Sequence, residues 1–217
     1  MELSVFDIIG DGVSNEEIAS SISEKLKNKY NEEFGVKMLG NRYGTASDDY
    51  VLAYCFPKSC ENLLFTSMLS KDESILEDDY YLKKISYKLQ SDFEANFKKE
   101  ELDVVSKIKI IGINKLENNV TIEQFIEANK NYNFLAKFIC TKEIDEEILK
   151  NIYSNIENEY KSINLKSVVF SMSENDFNQF KSLSEKIPDV TESIIEKYNA
   201  KQEKIIKISD GNVIIIK

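Results

Sequence analysis

The residues best suited to binding chemistry lie in one polar segment, residues 40–50. This segment contains Arg42, the only arginine in a chain that otherwise uses lysine. A planar guanidinium can form two parallel hydrogen bonds with a carboxylate or a phosphate, whereas an ammonium acts as a point charge. Glycines and small residues around it can direct backbone N–H groups toward an anion. We therefore predict a binding surface that consists of Arg42, Tyr43, Thr45, Ser47, Asp48, Asp49 and Tyr50.

Three interpretations of this segment remain open. The segment could dock a protein partner, or it could bind the carboxylate or phosphate of a small ligand. It could also be internally paired, with Arg42 bound to Asp48 or Asp49, so that it holds a long connection between strands in shape. Internal pairing is the simplest interpretation, because it requires no ligand.

Histidine is absent from the chain. This excludes histidine-dependent catalytic triads, zinc sites of the Cys/His type and imidazole as a pH sensor. The glycine-rich stretches, residues 10–12 and 40–45, have the spacing of neither a P-loop nor a dinucleotide-binding turn. We expect no catalytic residue, no metal and no cofactor, and the chain is more consistent with a binding protein than with an enzyme.

The three cysteines and the acidic clusters have simple structural interpretations. Cys55 and Cys140 lie in apolar strand patterns and are expected to be core thiols. Cys60 lies in a turn, which makes it the one candidate for a reactive thiol. The acidic clusters at residues 77–79, 100–101 and 143–147 are interpreted as helix starts and solvated faces.

The charge of the chain indicates the class of partner. It has 28 basic and 38 acidic residues, which gives a net charge of −10. Nucleic-acid binding requires a basic footprint, so we expect no nucleic-acid partner. The acidic first half also contains several tyrosines, a residue favoured at protein interfaces: Tyr43, Tyr50, Tyr54, Tyr80 and Tyr81. A protein partner, possibly basic, is expected, although the acidity could also serve solubility alone.

The hydrophobic patterns predict an α+β fold. In residues 1–100 they predict α-β-β-β-α, with an antiparallel meander. Ser14 and Glu17 form a capping box before a helix over residues 15–31, and residues 50–56 form a strand with two apolar faces, typical of a central position. Apolar residues at helical spacing over 82–97, with acidic residues 77–79 in the first turn, predict a long helix.

In residues 101–217 the hydrophobic patterns predict the element order β-α-β-α-β-α-α-β-β. The alternation of strands and helices favours a mixed sheet with some parallel pairing. Asp210-Gly211 between two apolar runs predicts a C-terminal hairpin with a type I′ turn. We place a soft boundary between the two parts near residues 98–103 and expect them to form one compact body.

These features lead to one preferred function and two alternatives. No apolar run has the roughly 18 residues of a membrane span, and the first residues do not resemble a signal peptide, so we expect a cytoplasmic location. The preferred function is a non-enzymatic protein-interaction module of a low-GC bacterium or mobile element: an accessory, inhibitor or immunity-type protein. The alternatives are an enzyme with an anion-binding site at Arg42, and an extracellular domain of a lipoprotein or transfer apparatus whose anchor has been removed. The oligomeric state is left open.

Overall fold

The computed structural model describes residues 14–40, 50–113, 116, 119–129, 133–187 and 190–216. Within these residues the chain forms six helices, a four-stranded antiparallel sheet and a five-stranded mixed sheet. The predicted α+β class is therefore confirmed. The chain divides into two compact units, Met1–Tyr80 and Tyr81–Lys217. None of the helices in the described part combines the length and hydropathy that a membrane span requires.

The first unit packs one helix on one sheet. The helix is α1 (Asn15–Tyr30), and the sheet order is β1 (Phe34–Leu39), β2 (Tyr50–Pro57), β3 (Phe65–Ser70) and β4 (Leu76–Asp78). Ser14 and Glu17 form the predicted capping box, in which the Ser14 N–H donates to the Glu17 carboxylate at 2.7 Å. Asn31, in the left-handed conformation at φ 53°, ends the helix. The predicted meander is present, and β4 extends it by one strand.

The acidic cluster at residues 77–79 corrects the sequence analysis. Glu77 and Asp78 belong to β4 rather than to the first turn of a helix, and α2 (Tyr80–Lys99) begins after them. Met68 on β3 pairs with Glu77, which places Glu77 and Asp78 on opposite faces of the sheet. Asp78 therefore points inward, whereas only Glu77 is solvated as predicted.

The second unit contains the other sheet and the remaining helices. After α2 the elements follow in the predicted order: β5 (Val104–Ile111), α3 (Ile122–Ala128), β6 (Asn133–Cys140), α4 (Glu146–Glu159), β7 (Leu165–Ser171), α5 (Glu174–Ser184), α6 (Glu192–Glu196), β8 (Lys201–Ser209) and β9 (Asn212–Ile216). The strands lie side by side in chain order, and only β6 and β7 are parallel. Asp210 (φ 51°) and Gly211 (φ 73°) form the turn of the predicted hairpin.

The second sheet has hydrophobic residues packed against both of its faces. Helices α2, α3 and α4 pack on one face, where Phe138 contacts the rings of Phe93, Phe97 and Tyr153. Helices α5 and α6 cover part of the other face, with Phe177, Phe180 and Ile195 against Val105, Ile139 and Phe170. The apolar stripe of α2 belongs to the first of these cores. This explains why α2 groups with the second unit.

Candidate functional site

The predicted binding segment lies almost entirely outside the described residues. Arg42, Tyr43, Thr45, Ser47, Asp48 and Asp49 belong to the part that the structure does not describe, so their roles stay predictions. Tyr50 is described. It begins β2 and is 43% exposed. The candidate site described below consists of Tyr50 and the residues that share its face of the first sheet.

Strand β2 presents apolar residues to two different environments. Its inward residues Val51, Ala53 and Cys55 are fully buried, and the residues between them point to the other face. The sheet order places β2 between β1 and β3, so the predicted central position is confirmed. The second apolar face is not buried to the same degree, because Tyr50 is exposed and Leu52, Tyr54 and Phe56 are half-buried.

Neighbouring strands extend this second face with methionines. Met38 on β1 pairs with Tyr54, and Met68 on β3 pairs with Leu52. Residues paired directly across an antiparallel sheet share a face. We define the open sheet face as these six residues: Met38, Tyr50, Leu52, Tyr54, Phe56 and Met68. Met38 is 48% exposed and Met68 is 37% exposed, and they flank the apolar and aromatic residues of β2 from the strands on either side. Exposed apolar side chains grouped on one face are typical of interaction sites.

Gly35 allows Phe56 to lie flat across the open sheet face. The two residues are paired partners on β1 and β2. A Cβ atom at Gly35 would come within 2.5 Å of the Phe56 ring. Gly35 therefore serves close packing of a ring on a strand.

The inward face of the first sheet supplies a rigid support. Ile18, Ile22 and Leu26 of α1 are buried at the fourfold spacing seen in the sequence. Beneath them, four aromatic rings form a continuous cluster with centroid separations of 4.9–5.8 Å: Tyr30, Phe34, Phe65 and Tyr80. Edge contacts of this kind fix ring orientations as well as burying area. The open sheet face thus lies on a well-packed layer.

Asp78 connects the last strand of this sheet to the end of α1 through hydrogen bonds. Its side chain is only 1% exposed. It accepts hydrogen bonds from Lys29 Nζ at 2.6 Å, from Tyr30 Oη at 2.5 Å and from the Tyr80 N–H at 3.1 Å. Tyr80 Oη in turn donates to Glu32 at 2.7 Å. Burial of a carboxylate is tolerated here because three donors replace its water.

The sequence analysis missed Asp78 because an acidic run before a helix normally indicates solvated residues. One signal was available in the alternation of Leu76, Asp78 and Tyr80. Residues at this spacing share one face of a strand, and two of the three are large and apolar or aromatic. The cluster has a structural function, since its donors and acceptors already bind one another.

A polar groove lies on the other side of the first unit, between α1 and the edge strand β1. Its volume is about 580 Å³, and Ser20, Ser23, Lys27 and Val36 are among its lining residues. Lys27 and Glu33 form an ion pair at 2.5 Å at this groove, and Lys27 lowers the pKa of the Glu33 carboxyl through their hydrogen bond. The groove differs from the open sheet face in being lined mainly by polar side chains.

The cysteines behave as the sequence predicted for two of the three. Burial raises the pKa of the Cys55 thiol to about 12 and that of the Cys140 thiol to about 11. Cys140 Sγ also donates to the carbonyl oxygens of Lys142 and Phe170. Both groups are therefore protonated core thiols at neutral pH, and thiols are poor nucleophiles in this state. Cys60 is half-buried, and its N–H donates to the Pro57 carbonyl in the turn.

The described residues contain no group of three or more Cys, Asp or Glu side chains arranged to hold a metal ion. Among the described residues of the first unit, the open sheet face is the strongest collection of outward-facing apolar groups.

Negative charge is also concentrated in the first unit. Residues 1–80 contain 16 acidic and seven basic residues, a net charge of −9, whereas residues 81–217 contain 22 and 21, a net charge of −1.

Comparison with known proteins supports the fold. No protein-family model and no curated protein sequence matches this chain. Among solved structures, the chain is similar to a DUF5037 family protein from Ruminococcus gnavus ATCC 29149, with a TM-score of 0.68 and 14% sequence identity. The match covers 91% of this chain and 94% of that chain. At this identity the similarity concerns the α+β architecture alone.

Proposed function

We propose that this chain is a non-enzymatic protein-interaction module that binds a partner protein through the open sheet face. The partner would present an apolar patch bordered by lysine or arginine side chains. The observation that carries the proposal is the exposure of Met38, Tyr50 and Met68 on one sheet face, next to the half-buried Leu52, Tyr54 and Phe56. Such a module would belong to the accessory, inhibitor or immunity-type proteins.

The residue types of the open sheet face suit a protein interface. Tyrosine, phenylalanine and methionine are enriched in the centres of such interfaces, while lysine, glutamate and aspartate are depleted there. Tyr50 and Tyr54 have an apolar ring with a hydroxyl at its tip, so each can pack and hydrogen-bond at once. Methionine is flexible, so Met38 and Met68 can adapt to the shape of a partner. A covering partner would remove these side chains from water, which is the main source of association energy.

Charge favours a basic border on that partner. The first unit carries a net charge of −9, and Glu77 lies on the open sheet face beside Met68. Complementary charge around an apolar centre increases the association rate and disfavours partners of the same sign. Because exposed charges are screened beyond roughly 8 Å at physiological salt, we expect this preference to weaken as ionic strength rises.

The two alternative functions are supported less well. The enzyme alternative depends on an anion-binding site at Arg42, which lies outside the described residues. The extracellular-domain alternative depends on a lost anchor, on which the fold has no bearing. The described residues provide a specific observation for the binding function only, namely the exposed apolar face.

The proposal is tested by affinity capture from a lysate of the native organism with matched variants. The bait is the full chain as wild type, as Met38→Glu/Met68→Glu on the open sheet face, and as Ser20→Glu/Ser23→Glu on the polar groove. We expect a stoichiometric partner with wild type and with the groove variant, and a loss of at least tenfold with the open-face variant. An Arg42→Ala/Asp48→Lys bait tests whether the predicted segment belongs to the same surface.

Capture alone would not establish the surface. The purified partner is therefore titrated against each variant at low and high salt, and the complex is cross-linked to locate the partner's contact residues. Equal affinity for wild type and the open-face variant, with both folded by circular dichroism, would reject the proposed function. A partner whose contact surface is acidic would reject the charge argument.

A further inference from the structure

We propose that the second sheet carries a separate docking surface for an acidic segment of a partner protein. The surface lies on the face of the β5–β9 sheet that α5 and α6 cover only in part. Strand pairing brings five lysines to this face, which we call the lysine face: Lys107, Lys109, Lys137, Lys166 and Lys207. The row that runs through Lys109, Leu135, Lys166, Lys207 and Ile214 crosses all five strands.

Two pairs of lysines on this face lie directly opposite each other on neighbouring strands. Lys107 pairs with Lys137, and Lys166 pairs with Lys207. Like charges at directly opposed positions destabilise a sheet. An internal acceptor or an external anion would offset this repulsion, and the two pairs differ in which of these they have.

The first pair has internal acceptors. Lys107 Nζ donates to the carbonyl oxygens of Ser184 at 2.7 Å and Ile187 at 3.2 Å. Lys137 Nζ donates to the Val190 carbonyl oxygen at 2.8 Å. The two ammonium groups thus satisfy carbonyls at and after the end of α5, where a positive charge is favourable. This pair has a structural function.

The second pair differs in its surroundings. Lys166 and Lys207 are both exposed, and within the described part of the chain neither forms an ion pair with a carboxylate. On the opposite face of the same sheet, Lys204 is buried and binds Glu146 at 2.9 Å. The buried Lys204 thus has a glutamate partner, whereas no carboxylate among the described residues pairs with Lys166 or Lys207. An external carboxylate would relieve the repulsion between them.

The apolar residues beside these lysines favour a protein over a nucleic acid. Ile214 is 49% exposed, Ile111 is 41% exposed and Ile216 is 40% exposed, and all three lie on the lysine face by register. A phosphate backbone would leave these side chains in water, and single-stranded bases need aromatic platforms, which the uncovered part of this face does not supply among the described residues. A segment with alternating acidic and apolar side chains would bind both lysines and isoleucines.

A second copy of the chain is a less suitable occupant, although its first unit is acidic. Contact between the first unit of one molecule and the second unit of another is a head-to-tail contact. Such contacts continue into rings or open filaments unless the geometry closes. Each molecule also carries a net charge of −10, which opposes the approach of another.

The test uses a fluorescein-labelled, 12-residue synthetic peptide of alternating glutamate and valine, titrated with the full chain at 50 mM salt. We expect saturable binding that weakens with salt, and a loss of at least tenfold in affinity for Lys166→Glu/Lys207→Glu. Lys150→Glu/Lys161→Glu makes the same change of charge at exposed lysines elsewhere in the second unit, and we expect it to stay within about twofold of wild type. Lys166→Gln/Lys207→Gln serves as a second variant, in case the double glutamate variant does not fold.

Several outcomes would overturn the proposal. These are no saturable binding by wild type, or equal losses in the lysine-face and control variants. Tighter binding of a 12-nucleotide RNA than of the peptide through the same lysines would assign the face to nucleic acid. Self-association that increases with concentration and disappears in the lysine-face variant would assign it to a second copy. None of these outcomes depends on the open sheet face, so this proposal and the proposed function fail independently.

Discussion

The two sheets of this chain differ in how their faces are covered. In the first unit, α1 covers one face and the other presents Met38, Tyr50 and Met68 to solvent. In the second unit, helices pack on both faces, and the uncovered remainder of one face is marked by lysines. One uncovered surface is apolar in an acidic unit, and the other is cationic with isoleucines beside the charges.

This difference separates residues that hold the fold from residues that are available for binding. Asp78 in the first unit, and Lys107 and Lys137 in the second, are charged groups whose hydrogen bonds are made within their own unit. Lys166 has the same residue type as Lys107 and Lys137 but is exposed, and Met68 is an exposed apolar residue. Substitutions should therefore have large effects on stability in the first group and small effects in the second.

The largest effect is expected in the core of the second unit. Phe138→Ala removes a ring that is 0% exposed and contacts three other rings. We expect a loss of about 4 kcal/mol in the free energy of unfolding, from lost burial and the cavity that remains. Urea unfolding followed by circular dichroism measures it. Met68→Ala, on the open sheet face, is the matched control and should cost less than about 1 kcal/mol. Similar losses would contradict the distinction between covered and open faces.

The next effect concerns the buried carboxylate of the first unit. Asp78→Ala leaves Lys29 Nζ, Tyr30 Oη and the Tyr80 N–H without their acceptor. We expect a cost of about 3 kcal/mol, because three donors lose a charged acceptor and the removal leaves part of a buried cluster unsatisfied. Hydrogen exchange measured by mass spectrometry should show faster amide exchange in β4 and at the end of α1. Glu77→Ala is the neighbouring control. A loss for Asp78→Ala no larger than the control would show that the cluster is dispensable.

The third effect is a dependence of stability on alkaline pH. Burial holds the pKa of Cys55 at about 12 and that of Cys140 at about 11 in the folded state, whereas an unfolded thiol has a pKa near 8.5. The folded state binds these protons more tightly, so their stabilising contribution is complete below about pH 8.5 and declines as pH rises toward the folded values. We expect a loss of about 2 kcal/mol for each thiol between pH 8 and pH 10. In Cys55→Ala/Cys140→Ala this slope should be shallower, and an unchanged slope would contradict the assignment.

The smallest effect has the opposite sign. Lys166→Glu replaces a like-charge pair across β7 and β8 with an attractive pair facing Lys207. We expect a gain of about 0.5 kcal/mol in the free energy of unfolding, together with weaker binding of the acidic peptide. Thermal unfolding at low and high salt measures the gain, which should decrease as salt is added. A destabilised variant would show that Lys166 contributes to the fold, and the like-charge argument for the lysine face would then fail.

Most of the fold could be predicted from the sequence, because its signals are local. The capping box at Ser14 and Glu17, the fourfold spacing of Ile18, Ile22 and Leu26, and the Asp210-Gly211 turn all act within a few residues. Strand β4 was missed because three residues with two acids carry almost no strand signal. Its formation depends on the pairing of Leu76 with Leu69 and on the donors around Asp78, which come from distant parts of the chain.

Neither surface could be predicted to the same extent. Tyr50 was the one predicted site residue that the structure describes, and its strand was expected to have two apolar faces. A strand that is buried on both sides and a strand with one open apolar side have the same sequence pattern, so the pattern does not distinguish them. The lysine face was not predicted, because Lys109, Lys166 and Lys207 lie on three strands and are separated by up to 98 positions in the chain. Pairing register alone brings them into one row.

The sequence by itself determined most of the secondary structure, the hairpin, the absence of histidine chemistry and the overall acidity. Each of these depends on composition or on contacts between near neighbours in the chain. Tertiary structure decided which apolar face stays open, which carboxylate is buried and which lysines share a surface. These properties depend on strand order and register, which are fixed by packing between segments far apart in the sequence.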